Sequence, residues 1–257
     1  MPSTKNLLRS ALALWAIAML APASTAVAAD TKETEIIPSE RTIPHDESRI
    51  QFSNIPDPWE GWNRRVYAFN TQFDRYIFLP SVRGYQKVTP DPLEKGISNA
   101  FQNVGEVRTF LHSFLQLKPR SMGITLGRLV VNSTLGIGGL LDPASDMGLV
   151  LHREDFGQTL GHWGVGNGPY LVLPIFGPSN ARDTGGMLGD YALTMLAYEA
   201  IGLNDSDQFA LRSSITVLRA LDMRANLAFR YYETGSPFEY ELVRYLYTQL
   251  RRVEIAK

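Results

Sequence analysis

Chemistry could sit first at the histidines of this chain and the acids beside them. His152 and His162 flank Glu154 and Asp155, the one cluster whose side chains could hold a metal or pass protons to a substrate. The spacing argues against both. No H-E-x-x-H aligns two imidazoles on a helix, and no G-x-S-x-G elbow supplies a nucleophile. His152 and Arg153 fit loop positions better, with Glu154 and Asp155 capping or pairing nearby. Asp155-Phe156-Gly157 copies a kinase triplet in letters, without any other kinase element. His45 lies in a polar N-terminal stretch and His112 within a helix. Gly136-Ile137-Gly138-Gly139 lacks the third glycine of a dinucleotide fingerprint and follows a helical pattern, and no G-x-x-x-x-G-K-[ST] occurs. Asn132-Ser133-Thr134 reads as polar groups closing a helix end. With no cysteine in the sequence, thiol chemistry and Cys-ligated metals are out of reach. The expectation is a protein that is not an enzyme and uses no cofactor and no metal.

Export is written at the N-terminus. Lys5 and Arg9 precede an apolar run, Ala11 to Ala21, and small residues ending in Ala26-Val27-Ala28 follow. A basic region, a short apolar region and an A-x-A box describe a cleavable signal peptide, here residues 1–29. The run is short of the ~20 residues that span a bilayer. Removing Lys5 and Arg9 leaves 23 cationic against 26 acidic side chains, a formal charge of −3. That balance offers nucleic acid no basic footprint. Residues 30–54 are polar and rich in Thr, Ser and Pro, and they read as a flexible tether. Residues 55–257 then form one domain, large enough for a sizeable core.

The elements positioning any site are mainly helical. Asp57-Pro58-Trp59-Glu60, Asp91-Pro92-Leu93-Glu94 and Ser236-Pro237-Phe238-Glu239 each combine a capping residue, Pro at the first helical position and Glu at N3. After the first, Trp59, Trp62, Val66, Phe69, Phe73 and Ile77 fall at steps of three and four on one face, with Pro80 as the expected stop. After the second, Leu93, Ile97, Phe101 and Val104 lead to an expected break at Gly105. Val107 to Leu115 and Met122 to Val130 continue as helices. Ile215, Leu218 and Leu221 mark another, and Leu242, Leu246 and Val253 the last. Between Gly136 and Gly189 lie 13 of the 21 glycines. That stretch is too apolar for a linker, and its expected form is irregular packed backbone, the place to seek a pore or gate.

Taken together, DPWEGWNRRVYAFN from Asp57, SNAFQN from Ser98, RLVVNSTLGIGGLLDPAS from Arg128, EDFGQTLGHWGVGNGPYLVLPIFGPSNARD from Glu154 and SPFEYELVRYLYTQLRR near the end resemble the MlaA (VacJ) family. The resemblance covers residues 54 to 252. It implies a single helical, ring-like domain lying in the membrane interface at the periplasmic face of the outer membrane. It further implies a trimeric outer-membrane porin as neighbour and a channel for phospholipid. Phospholipid misplaced in the outer leaflet would pass to a soluble periplasmic carrier of the Mla system. The family's best-known members are lipoproteins, with a Cys just after the signal. This sequence has Ala29-Asp30 there, so the expectation is residence without a lipid anchor.

Elementary energetics agree with such a role. Aromatic residues and arginines share the helix after Asp57, which suits a helix lying in the interface plane. Trp59, Trp62, Arg64, Phe69, Asn70 and Phe73 are its candidate membrane residues, with Asn63, Arg64 and Asn70 as polar edges. Asp155, Gly157, Gly161, Gly164, Gly166 and Gly168 are the channel or gate candidates. Two acyl chains carry on the order of 30 methylenes, so crossing water costs roughly 20 kcal/mol, which a sheltered path avoids. The alternatives are a phospholipase built on His152, Glu154 and Asp155, and a structural or adhesive envelope protein without transport.

Overall fold

The computed structural model describes residues 55–200, 208–231 and 236–257. The expected signal peptide and tether lie outside the described residues.

The described chain is mainly helical, in the order α1 (Glu60–Phe73), a π turn (Asp74–Phe78), α2 (Leu79–Val88), α3 (Asp91–Leu115), α4 (Pro119–Thr134), α5 (Pro143–Asp146), α6 (Phe156–His162), β1 (Tyr170–Leu173), β2 (Gly177–Asn180), α7 (Ala181–Ala200), α8 (Phe209–Ala225) and α9 (Glu239–Ala256). β1 and β2 pair antiparallel, with Tyr170 opposite Asn180 and Leu173 opposite Gly177. No described helix is long and apolar enough to cross a membrane.

Several expectations need correction. Pro80 does not end the first helix, because it sits in the first turn of α2. In a regular α turn its ring would meet the carbonyl four residues back, and the wider π turn directly upstream relieves that clash. Gly105 does not break α3, which runs unbroken to Leu115. One glycine costs a helix only about 1 kcal/mol, which packing readily offsets. The capping boxes place the helix starts within three residues, yet their side chains do other work. No side chain caps α1, α3 or α9. Asp57 instead takes hydrogen bonds from Asn63, Tyr240 and Arg244, and Glu239 takes one from Tyr67.

The glycine-rich segment is also more regular than expected. It contains α6, the β-hairpin and the first half of α7. Its glycines serve close helix contact: a Cβ on Gly186 would lie 2.4 Å from the Gly157 nitrogen. Only without side chains at both positions do α6 and α7 approach this closely.

An apolar core of ordinary kind gathers at the hairpin. Val66 and Tyr67 of α1, Tyr170 and Val172 of β1, and Tyr240 and Val243 of α9 pack together there. Tyr67 meets the Tyr231 and Tyr240 rings edge-on, at 5.1 and 5.7 Å between centroids.

Candidate membrane interface and its buried polar frame

Away from the hairpin, burial runs opposite to the rule for proteins in water. Among the described residues, buried polar and charged side chains outnumber buried apolar ones roughly three to one, whereas in soluble proteins charged groups are almost never fully buried unless paired. α3 turns Asn103, Glu106, Thr109, His112 and Ser113 inward. Val104, Val107, Phe114 and Leu115 face outward. In α4 the buried residues are Thr125, Arg128 and Asn132, while Leu126 and Val130 are exposed. The loop beyond it exposes Leu135, Ile137, Leu140 and Leu141.

α1 follows the same inversion, and it decides where the candidate membrane residues stand. Trp59, Trp62 and Phe69 are half or more exposed, Arg64 is exposed and Phe73 is half-buried. The expected apolar stripe is therefore chiefly the outer face, with Val66 turned inward. Asn63 and Asn70 are not polar edges. Both are buried and clamp the hairpin. Asn63 Nδ2 donates to the Tyr170 carbonyl at 3.1 Å and its Oδ1 accepts from Val172 N at 2.8 Å. Seven residues on, Asn70 repeats the arrangement with Leu173 O and Ile175 N, at 2.9 and 2.6 Å. Two turns of helix separate the clamps, so the polar edge of β1 is satisfied by side chains of α1.

Paired charges make the rest of the frame. Arg128 Nε donates to Glu106 Oε1, and its Nη2 reaches Asp142. Asn132 holds that same Asp142 and accepts from Ala144 N. Arg224 grips Asp74 through two nitrogens, at 2.6 and 2.8 Å. Arg251 of α9 pairs with Asp155 and with Asp183, each at 2.8 Å. Burial alone would lift the Asp155 carboxyl, but the Arg251 guanidinium outweighs it and holds Asp155 at about 2. Burial also pushes the Tyr247 hydroxyl well up, helped by Asp183, to which it donates.

The sequence cluster around His152 resolves into structural parts. Asp155 caps α6 by accepting from Gln158 N at 2.8 Å, and Glu154 accepts from Gln116 and Lys118. No group of three or more metal-capable residues gathers among the described residues. His112, fully buried, lies 2.8 Å from Asp190 and 3.1 Å from Thr159.

The gate candidates divide. Asp155, Gly157 and Gly161 belong to the packed frame, since a Cβ on Gly157 would strike Asp183 at 2.5 Å and one on Gly161 would strike Ile255 at 2.6 Å. They are close-approach positions rather than hinges. Gly164 and Gly168 adopt left-handed backbone in the segment joining α6 to β1. Gly166 between them faces open space. Sequence reasoning missed the frame itself, although its signal was present: Asn63, Asn70 and Asp74 also recur at helical spacing, as a polar stripe roughly 100° around the helix from Trp62 and Phe69.

Comparison with known proteins follows this geometry. Residues 55–254 match the family model described as MlaA lipoprotein. An uncharacterized protein of Rickettsia prowazekii is 43% identical over 161 residues, 62% of this chain and 63% of that relative. The intermembrane phospholipid transport system lipoprotein MlaA of Escherichia coli K12 is 38% identical over 146 residues, 55% of this chain and 58% of its own length. These matches span about three fifths of the relatives' length. A solved structure concerning the structural basis for maintenance of bacterial outer membrane lipid asymmetry is 33% identical. It superposes with a TM-score of 0.64 over 77% of this chain and 98% of its own.

Proposed function

The chain belongs to the MlaA lipoprotein family, and from that premise we propose that it is a passive component of an intermembrane phospholipid transport system. It lies ring-like in the membrane interface on the periplasmic side of the outer membrane. It takes phospholipid misplaced in the outer leaflet, offers it a sheltered path and hands it to a soluble periplasmic carrier. A trimeric porin holds it in place. It transfers lipid without catalysing a reaction.

The inversion of burial carries this reading. An outer face of Trp62, Phe69, Val107, Leu126 and Val130 over an inner frame of paired charges suits a protein whose surroundings are acyl chains. Lipid offers hydrogen bonds to none of the polar groups, so they must satisfy one another inside. The given sequence has no cysteine, and the exposed aromatic face of α1 supplies attachment that needs no lipid anchor.

The test is outer-leaflet phospholipid in intact cells, labelled with an impermeant amine-reactive reagent. Deleting the protein should raise labelled phosphatidylethanolamine, and expressing the full chain should restore it. An unchanged leaflet in the deletion strain would remove transport and leave a structural role. Co-purification in mild detergent should recover a porin trimer.

A further inference from the structure

The helix that begins at Glu60 continues to Val88, because α1, the π turn and α2 follow one another without a break. Its inward positions include Asn63, Asn70 and Asp74 in the first half and Val82 and Tyr85 in the second. Counting about 100° per residue from the middle of these, in each half separately, sorts exposed side chains into two strips. Arg75, Arg83 and Lys87 fall at roughly 120–170° and Arg65 at roughly 200°, whereas Tyr76, Phe69 and Trp62 fall at roughly 220–260°. All of them are exposed. The strips adjoin: the Arg75 guanidinium lies over the Tyr76 ring, 5.5 Å from its centroid.

The cationic strip is not matched by acids of its own helix. From Gly61 to Val88 the sole acid is Asp74, which is buried and gripped by Arg224. Arg64, at the edge of the strip, is taken by Glu60 and Glu241. Arg65, Arg75, Arg83 and Lys87 have no ion pair or side-chain hydrogen bond among the described residues. Glu94 of α3 accepts from Gln86, which stands roughly 100° around α2 from Lys87. The whole chain carries a formal charge of −1, so this run of cations on one side of one helix is a local arrangement. An acidic protein would answer the cations alone. An anionic lipid surface answers both strips, with rings at the acyl boundary and cations at headgroup level.

We propose that the helix from Glu60 to Val88 docks on anionic phospholipid headgroups, with Arg65, Arg75, Arg83 and Lys87 meeting the phosphates and Trp62, Phe69 and Tyr76 entering the acyl boundary beside them. The proposal rests on the membrane residence argued above and adds the charge of the lipid. Each cation near such a surface strengthens binding about fivefold before screening.

The test floats the full-length protein, transferred from detergent, with vesicles of phosphatidylcholine alone and of equimolar phosphatidylcholine and phosphatidylglycerol. At low salt the wild type should bind the mixed vesicles at least about tenfold more tightly, and the preference should fade as ionic strength rises. The variant R65Q/R75Q/R83Q/K87Q should lose the preference, yet keep its melting temperature in detergent and the binding to phosphatidylcholine that the aromatic strip supplies. R65K/R75K/R83K should keep the preference, since this attraction needs the charge rather than the fork of arginine. Equal wild-type binding to both vesicles would overturn the proposal. So would a preference that survives in the glutamine variant or disappears in the lysine variant. A glutamine variant that keeps its vesicle preference but no longer retains an acidic protein from periplasmic extract would assign the strip to a protein partner instead. Wild type that floats with neither vesicle would overturn membrane residence itself, a failure distinct from one confined to lipid charge.

Discussion

Two regions of this molecule bury their side chains by opposite rules. Around the hairpin, Val66, Tyr67, Tyr170, Val172, Tyr240 and Val243 form the apolar centre that water drives together. In the α3–α4 pair, Glu106 and Arg128 occupy the inside while Val104, Val107, Leu126 and Val130 look out. The second region gains little from expelling water, since its apolar side chains stay outside. It is held by charge pairing and backbone satisfaction, which strengthen as the surroundings lose water. The contrast indicates a protein built for two solvents at once.

The strongest way to break the comparison is to disarm the second region's central pair. Arg128→Met leaves Glu106 and Asp142 without their shared guanidinium and should cost about 3–5 kcal/mol, as expected for an uncompensated buried charge. Adding Glu106→Met should recover a large part of that loss, because two apolar side chains need no pairing. Thermal unfolding in detergent reads both. Equal loss in the single and double variants would mean that shape, not charge, holds α3 to α4.

Next in size comes the hairpin clamp. Asn63→Ala strips partners from the Tyr170 carbonyl and the Val172 amide. Each buried orphan costs about 1–3 kcal/mol, so a loss of about 2–4 kcal/mol is expected, allowing for partial relaxation. Hydrogen exchange should rise first at Val172, whose amide Asn63 holds, and less at Ile175, which Asn70 still holds. If exchange rises equally across α3, the two regions unfold as one unit and their separate construction has no energetic meaning.

Much of this architecture was legible in the sequence, and its orientation was not. Helical spacing located α1, α3, α4, α8 and α9, because periodicity depends only on geometry shared by both rules of burial. What periodicity does not encode is which face points inward. Spacing alone leaves Trp59, Trp62 and Phe69 open to either face; the family resemblance sets them towards the membrane, and they stand on the outer face. The capping boxes misled for a related reason: Asp57 and Glu239 hold Tyr240 and Tyr67 across long separations, which no local motif announces. The cluster at Glu154 and Asp155 was rightly read as capping and pairing. The arginine partner of Asp155 lies 96 residues away and left no local trace.

A smaller effect tests the junction between the regions, where Arg251 of α9 grips Asp155 at the start of α6. The folded carboxyl titrates at about 2, below its unfolded value of about 3.9. Its contribution is therefore fully present above about pH 4 and is lost as pH falls through about 2, amounting to roughly 2–3 kcal/mol. Asp155→Asn should keep the α6 cap but flatten that acid limb, seen as the difference between unfolding midpoints at pH 5 and pH 2. Parallel pH curves for the two proteins would show that the pair does not sense pH.

The smallest expected effect on stability carries the sharpest test of the two-solvent idea. Trp62 and Phe69 lie roughly 100° around α1 from the asparagine clamps, 57% and 50% exposed. Neither takes part in the apolar core at the hairpin. Replacing both by serine should shift unfolding in detergent by no more than about 0.5 kcal/mol each, as for surface positions generally. The same change should reduce the share of protein recovered with outer membranes, because aromatic rings at the headgroup level are anchors only where a bilayer exists. Tyr67→Ser, one residue along from the exposed Ala68 but facing inward, should do the reverse: it empties part of the aromatic cluster and leaves the outer face intact. A serine pair as destabilising in detergent as Asn63→Ala would place Trp62 and Phe69 within a packed core. Both regions would then obey the rule for water, and the apolar exterior would have to be covered by protein rather than by lipid.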